Sequence, residues 1–229
     1  MNKIGFIFDL DGVIVDTAKY HYMAWKKLAD ALGVHFTEED NENFKGVSRK
    51  RCLEILLEMG DMSVSHEQFN AWLAEKNEDY LSYIASMDET EILPDVTKVL
   101  NFLKAKGIPM ALGSASKNAV PILEKVKLLT YFDAIVDGNA VSKAKPDPEV
   151  FMIAADKLGV AAKNCVVFED ALAGIEAANT AEMTSVGIGD PTVLNGADYN
   201  FVDFTEIGLG FLDDLIAKTN LVTKGVKSN

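Results

Sequence analysis

Residues 4–17 read Ile-Gly-Phe-Ile-Phe-Asp-Leu-Asp-Gly-Val-Ile-Val-Asp-Thr, and no other stretch restricts the fold as much. Residues 4–8 carry no polar side chain, so a strand formed by them needs both faces covered, as in a parallel sheet flanked by helices. Polarity then switches at once. Asp9 and Asp11 stand two residues apart, a spacing that in extended backbone aims both side chains to one side, and Gly12 lets the chain turn immediately afterwards. Two carboxylates held together in this way repel, unless a cation lies between them or one of them keeps a proton. Taken alone, an Asp-x-Asp after a strand also reads as the opening of a loop.

The remaining chain divides by its periodicity. From residue 18 to residue 87 no strand signal occurs. Trp25, Leu28, Ala29 and Leu32 fall at i, i+3, i+4 and i+7 of a helix that Gly33 ends. A second helix runs over residues 48–59, and a third over 65–87, where Ser65 with Gln68 matches a capping box. At Leu93-Pro94-Asp95 the pattern changes, and Val96, Val99, Leu100 and Leu103 form a helical stripe that Gly107 stops. Strands and helices then alternate. Strands are predicted at 108–113, 134–136, 165–168 and 184–188, with helices at 118–127, 148–159 (capped by Asp147), 171–179 and 209–220, and a frayed tail at 222–229. Such alternation implies a doubly wound parallel sheet whose ligand crevice lies at the carboxyl ends of the strands. The helical block is an insertion after the first strand, which gives a core of residues 1–16 and 88–229 and a cap of residues 17–87.

The 229 residues, 48% of them hydrophobic, suffice for one good core and a smaller accessory domain. Lys and Arg number 22 against 35 Asp and Glu, a net charge of -13. That balance argues against nucleic acid or an anionic membrane as partner, so an anionic substrate must meet a locally positive site. Cys52 and Cys165 are far apart and form neither a disulfide framework nor a metal-binding pair, which fits a reducing compartment. No apolar run approaches the ~20 residues needed to span a bilayer, and the start has no signal-peptide pattern, so we expect a cytoplasmic monomer.

Three further stretches could carry chemistry. Ser114-Ala115-Ser116-Lys117-Asn118 follows a strand and opens a helix, offering hydroxyls and backbone N–H groups to an anion, although a plain helix cap would look the same. Lys143-Ala144-Lys145-Pro146 places two lysines before a stiff turn, and Glu169-Asp170 ends an apolar strand in hard oxygen donors of the kind Mg2+ takes. In the cap, Lys45 and Arg49 bracket Gly46 at a helix start. Basic residues there oppose the helix dipole, so a bound anion would explain them, and Arg can hold phosphate bidentately. Trp25 reads as core, and His21 and Lys76 by default as surface residues.

Asp9-Leu10-Asp11-Gly12-Val13 after a buried strand resembles the first motif of the haloacid dehalogenase (HAD) superfamily. The resemblance extends to Ser114 as the second motif, Lys145 as the third, and Glu169 and Asp170 as the fourth. Each motif is weak alone, but all four occur in order, each at a strand's end. The resemblance implies a Rossmann-like α/β core with a helical cap, an aspartate nucleophile, one Mg2+ ion and phosphoryl transfer. The segments Thr17-Ala18-x-Tyr20-His21, Ala24-Trp25-Lys26, Lys45-Gly46-Val47-Ser48-Arg49 and Lys76-Asn77 further resemble the superfamily's mutases for β-D-glucose 1-phosphate and glucose 6-phosphate.

That likeness covers nearly the whole chain and implies specific roles. Asp9 becomes the nucleophile and Asp11 the general acid/base. Mg2+ is held by Asp9, the Asp11 carbonyl, Glu169 and Asp170, while Ser114, Ala115 and Lys145 bind the transferring phosphoryl. Arg49, Ser116, Lys117 and Asn118 bind the other phosphate, and His21, Trp25, Lys45, Gly46, Val47, Ser48 and Lys76 surround the sugar. β-Glucose 1,6-bisphosphate is the intermediate and the activating phosphodonor. Cys52 stands where a serine is expected, and Phe44 where a smaller aliphatic residue is. The alternatives are a Mg2+-dependent sugar-phosphate phosphatase on the same fold and a catalytically silent sugar-phosphate-binding protein.

Overall fold

The computed structural model of the protein describes residues 4–221, and the tail expected at 222–229 lies outside them. Six strands form one sheet: β1 (Gly5–Phe8), β2 (Met110–Gly113), β3 (Ala134–Val136), β4 (Cys165–Glu169), β5 (Thr184–Ile188) and β6 (Tyr199–Phe201). Their order is β3-β2-β1-β4-β5-β6, and every neighbouring pair is parallel. A block of four helices follows β1 directly: α1 (Ala18–Leu32), α2 (Glu38–Glu42), α3 (Arg49–Met59) and α4 (His66–Ile84). Then follow α5 (Val96–Ala105), α6 (Ala119–Lys125), α7 (Glu149–Leu158), α8 (Leu172–Thr180) and α9 (Leu209–Leu221). None of the described helices is long and apolar enough to cross a membrane.

The apolar first strand is covered on both sides, as its composition requires. Phe6 and Phe8 pack in one core with Val99 and Leu103 of α5, Ile122 of α6 and Leu212 of α9, whereas Ile7 packs in another with Phe151 of α7 and Ala177 of α8. Alternate residues of one strand thus serve opposite layers. A third cluster belongs to the inserted helices, where Trp25, Leu28, Phe36, Phe44, Leu53 and Leu56 meet. The two connections between the helical block and the sheet run side by side: Asp16 N donates to Glu91 O and Leu93 N to Ile14 O, each at 3.0 Å.

Several element ends differ from the sequence reading. β2 begins at Met110 rather than 108, because Ile108 N still bonds Leu103 O of the helix and Pro109 has no N–H for the ladder. α6 ends at Lys125 because Lys127 takes a left-handed φ of 56°. α7 begins one residue late, at Glu149, with Asp147 accepting from its N–H at 3.1 Å. At α4 half of the capping box forms: Ser65 Oγ accepts from Gln68 N, while the exposed Gln68 amide gains little by leaving water for the return bond. The full box forms at α2 instead, between Thr37 and Asp40. β6 escaped the sequence reading: Tyr199-Asn200-Phe201 is interrupted by a polar residue and only half-buried, unlike the equally short but apolar β3.

Phe168 of β4 stacks on Phe8 at 4.9 Å between ring centres and on Phe204 at 5.5 Å, beneath the sheet edge that carries the acids. Phe168→Ala is expected to lower unfolding stability by about 3–5 kcal/mol in a urea titration. A loss below about 1 kcal/mol would show that this stack is not what anchors the edge.

Candidate active site

Parallel register brings the acids together. Phe8 is level with Leu112 on one side and Phe168 on the other, so Asp9, Ser114, Glu169 and Asp170 all emerge at the same edge. Above that edge lies a cavity of about 520 Å3 between the sheet and the inserted helices. Of the residues singled out from sequence, Asp9, Asp11, Ser114, Ala115, Ser116, Lys117, Lys145 and Asp170 line it from the sheet side. His21, Trp25, Lys45, Gly46, Val47, Ser48, Arg49 and Lys76 line it from the helical side. Two do not reach it. Asn118 stands behind the lining, its Nδ2 donating at 3.0 Å to Oδ1 of Asn77, which does line the cavity, and Glu169 is fully buried behind Lys145.

Lys145 Nζ donates to Asp9 Oδ1 and to Glu169 Oε2, both at 2.7 Å, in a setting closed to water. Burial alone would discharge this lysine, but the two carboxylates outweigh it and hold the ammonium charged. Burial raises Asp9 to about 6 against the pull of Lys145, with Asp11 and Asp170 adding repulsion. Asp170 is likewise raised to about 7, by burial first and the Glu169 charge second. Gly12 makes this crowding possible: at φ 77°, a Cβ there would lie 2.1 Å from Asp170 Oδ2.

Asp11 behaves differently. Thr17 Oγ1 donates to Asp11 Oδ1, and His21 Nε2 lies 3.8 Å from the same oxygen. Burial would raise its pKa, but the partnership with His21 and the Thr17 bond prevail and hold it below the usual carboxylate range. Two acids two residues apart are therefore separated electrostatically by their neighbours. Behind His21, Lys76 Nζ sits 3.0 Å from Nδ1. The default surface reading of Lys76 is corrected here, since it is 2% exposed. It lies on the face of α4 that meets α1, with its ammonium over the Trp25 and Tyr80 rings.

The loop before α3 closes the cavity. Gly46 takes φ 70°, and a Cβ there would stand 3.0 Å from Ala171, so the loop approaches the sheet edge closely. Lys45 Nζ bridges Glu42 at 2.7 Å and Asp170 at 3.6 Å. Arg49 is half-buried, and among the described residues its guanidinium has no carboxylate partner. Ser114 Oγ accepts from Ser116 N at 3.1 Å, and Ser116 Oγ from Asn118 N at 3.2 Å, two successive side-chain turns that lead the chain into α6. Cys52 also lines the cavity, with its thiol pushed up to about 12 by burial and hence neutral.

Thr17 and Asn77 hold site residues without having been assigned roles from sequence. For Thr17 the signal was its position after the acidic motif, but a hydroxyl's partner six residues away depends on the turn geometry. The Asn77–Asn118 pair joins positions 41 apart, and nothing local announces it.

Asp9, Glu169 and Asp170 each bring a carboxylate oxygen within 4.8 Å of the others, a set of hard donors that fits Mg2+. Asp11's carboxylate stands apart from this trio, turned to Thr17 and His21. Glu169 has a second task, since its oxygens also accept from Lys145 and from Ala171 N.

Known proteins share this architecture. A crystal structure of β-phosphoglucomutase from Clostridium difficile superposes with a TM-score of 0.90 at 38% identity, covering 96% of this chain and 99% of that one. β-Phosphoglucomutase of Bacillus subtilis is 40% identical over 194 residues, 84% of this chain and 86% of its own length. A phosphorylated carbohydrates phosphatase of Thermotoga maritima is 33% identical over 177 residues, covering 76% and 80%. The haloacid dehalogenase-like hydrolase model matches residues 5–182. With that span and these relatives, the chain belongs to the haloacid dehalogenase-like hydrolase family.

Proposed function

We propose that the protein is a phosphomutase that interconverts β-D-glucose 1-phosphate and glucose 6-phosphate. Residues 1–16 and 88–229 act as the catalytic core and residues 17–87 as a cap that selects the sugar and excludes water. One observation carries this reading: a single cavity holds a cationic side chain at each end, Lys145 between Asp9 and Glu169 on the sheet side and, on the helical side, Arg49, which has no carboxylate partner among the described residues. A substrate that must bind in two orientations needs a phosphate site at each end. The likeness to proteins named β-phosphoglucomutase supports the same choice.

In this mechanism Asp9 takes the phosphoryl group as an acyl phosphate and passes it to the 6-hydroxyl of β-glucose 1-phosphate. Lys145 fixes Asp9 through Oδ1 and keeps positive charge beside the transferring group. Asp11, held as a carboxylate by His21 and Thr17, is set to take the hydroxyl's proton. The 1,6-bisphosphate then turns around, its 1-phosphoryl returns to Asp9, and Asp11 gives the proton to the departing oxygen. Ser114 and Ala115 would bind the transferring phosphoryl. Arg49, Ser116 and Lys117 would bind the distal one, with Asn118 acting through its hydrogen bond to Asn77. Mg2+, when bound by Asp9, Glu169, Asp170 and the Asp11 carbonyl, would neutralise phosphoryl oxygens during transfer. The cap keeps water from the phosphoaspartate.

A phosphatase is the second reading, favoured by the Thermotoga relative's name and by core motifs that serve either acceptor. With Mg2+, β-glucose 1-phosphate and a trace of the 1,6-bisphosphate, glucose 6-phosphate should accumulate well ahead of inorganic phosphate; inorganic phosphate without isomerised product would make the protein a phosphatase. Asp9→Asn should abolish Mg2+-dependent incorporation of labelled phosphate, whereas equal labelling of variant and wild type would place the nucleophile elsewhere. Arg49→Ala should lower sugar-phosphate turnover about 10- to 100-fold and spare phosphorylation of Asp9 by a small phosphodonor. Equal loss of both would contradict a distal-phosphate role.

A further inference from the structure

Two lysines near the cavity are almost fully buried, and they are solvated in opposite ways. Lys145 is gripped by two carboxylates. Lys76, 2% exposed and in the cavity wall, has no carboxylate within ion-pair distance among the described residues. Its Nζ lies 4.6 Å from the Trp25 ring centre, 5.0 Å from that of Tyr80, and 3.0 Å from His21 Nδ1. An amine in such an apolar, unpaired setting is the kind that attacks carbonyl carbon.

We infer that Lys76 is a carbonyl-reactive amine, which condenses reversibly with phosphorylated aldehydes held in the cavity, open-chain aldose phosphates among them. The inference rests on the reading of the cavity as a phosphate-binding site. Burial, with the Arg49 charge second, lowers the Lys76 pKa to about 7 against the weaker pull of the Asp11 carboxylate, the Cys52 thiol being neutral, so a large share of the amine is neutral near neutrality. His21, from α1, and Tyr80, from α4 itself, are the other titratable groups against it.

The step balances without an added reagent. The Nζ lone pair attacks the aldehyde carbon, the C=O π pair moves to oxygen, and a proton shifts from nitrogen to that oxygen. The carbinolamine then loses its hydroxyl with the second amine proton as water, leaving an imine and neither oxidation nor reduction. His21 Nδ1 is within hydrogen-bond distance of the nitrogen for these proton shifts. β-Glucose 1-phosphate has C1 locked as a phosphoacetal and offers no aldehyde, whereas glucose 6-phosphate opens to one. Lys76 would therefore distinguish the two sides of the proposed reaction by a covalent, reversible contact.

The test uses the wild-type chain at pH 7 with pyridoxal 5′-phosphate, a phosphorylated aldehyde, followed by borohydride reduction and mapping of modified lysines by peptide mass spectrometry. Lys76 should be modified at least about tenfold faster than exposed Lys163, and β-glucose 1-phosphate should suppress the reaction. Glucose 6-phosphate with cyanoborohydride should modify the same residue. Modification spread evenly over surface lysines, or concentrated on Lys45, Lys117 or Lys145, would overturn the inference. Mapping on wild type needs no variant, and Lys76→Met should lose the modified peptide. Pyridoxal without its phosphate is the separating arm. Equal rates with pyridoxal would leave the reactive amine standing and overturn the phosphate site beneath it, while failure with both aldehydes would remove the amine and leave the mutase reading intact.

Discussion

The ammonium of Lys145 is what makes the centre of this molecule tolerable. Asp9 and Glu169 are both buried at the end of adjacent strands, and each would be costly there as a free charge. One Nζ at 2.7 Å from both converts two expensive carboxylates into a hydrogen-bonded triad. Removal of the cation would leave two uncompensated anions a strand apart. The apolar cores exist in part to hold this triad in register: Phe8 and Phe168 stack directly beneath Asp9 and Glu169.

The same edge is crowded with negative charge beyond what one lysine can balance. Asp9 and Asp170 are both pushed upward, which is the electrostatic signature of a site that takes a cation or a proton. Asp11 escapes by finding other partners, and so the two acids of the opening motif acquire different properties. On the opposite wall the balance is reversed. Arg49 stands half-buried with no carboxylate partner among the described residues, so the roof presents a guanidinium above a floor where carboxylates outnumber Lys145.

Much of the fold was legible because it rests on local rules. An apolar run closed by acids, helix stripes ended by Gly33 and Gly159, and strands alternating with helices gave the doubly wound sheet. The differences have two sources: Pro109, a local signal, shortened β2, whereas β6 exists because β5 offers it an edge. In the site, Asp9, Ser114, Lys145 and Asp170 could be picked out because together, in order and each at a strand's end, they resemble the four motifs of the haloacid dehalogenase superfamily, whereas singly each reads equally well as a cap or a loop. Lys76 could not be read as buried, because a lysine on an amphipathic helix looks the same whether it meets water or the Trp25 ring of another helix.

The sequence by itself determined which chemistry-bearing side chains are present and that strands would deliver several of them to one edge, since hydrophobic period and turn residues act over a few positions. Tertiary structure alone decided what each one meets. Lys145 reaches Asp9 across 136 positions and Glu169 across 24; Lys76 reaches His21 across 55. Protonation follows from these partners and from burial, both properties of the packed chain. The same residues in an unfolded chain would be ordinary acids and bases.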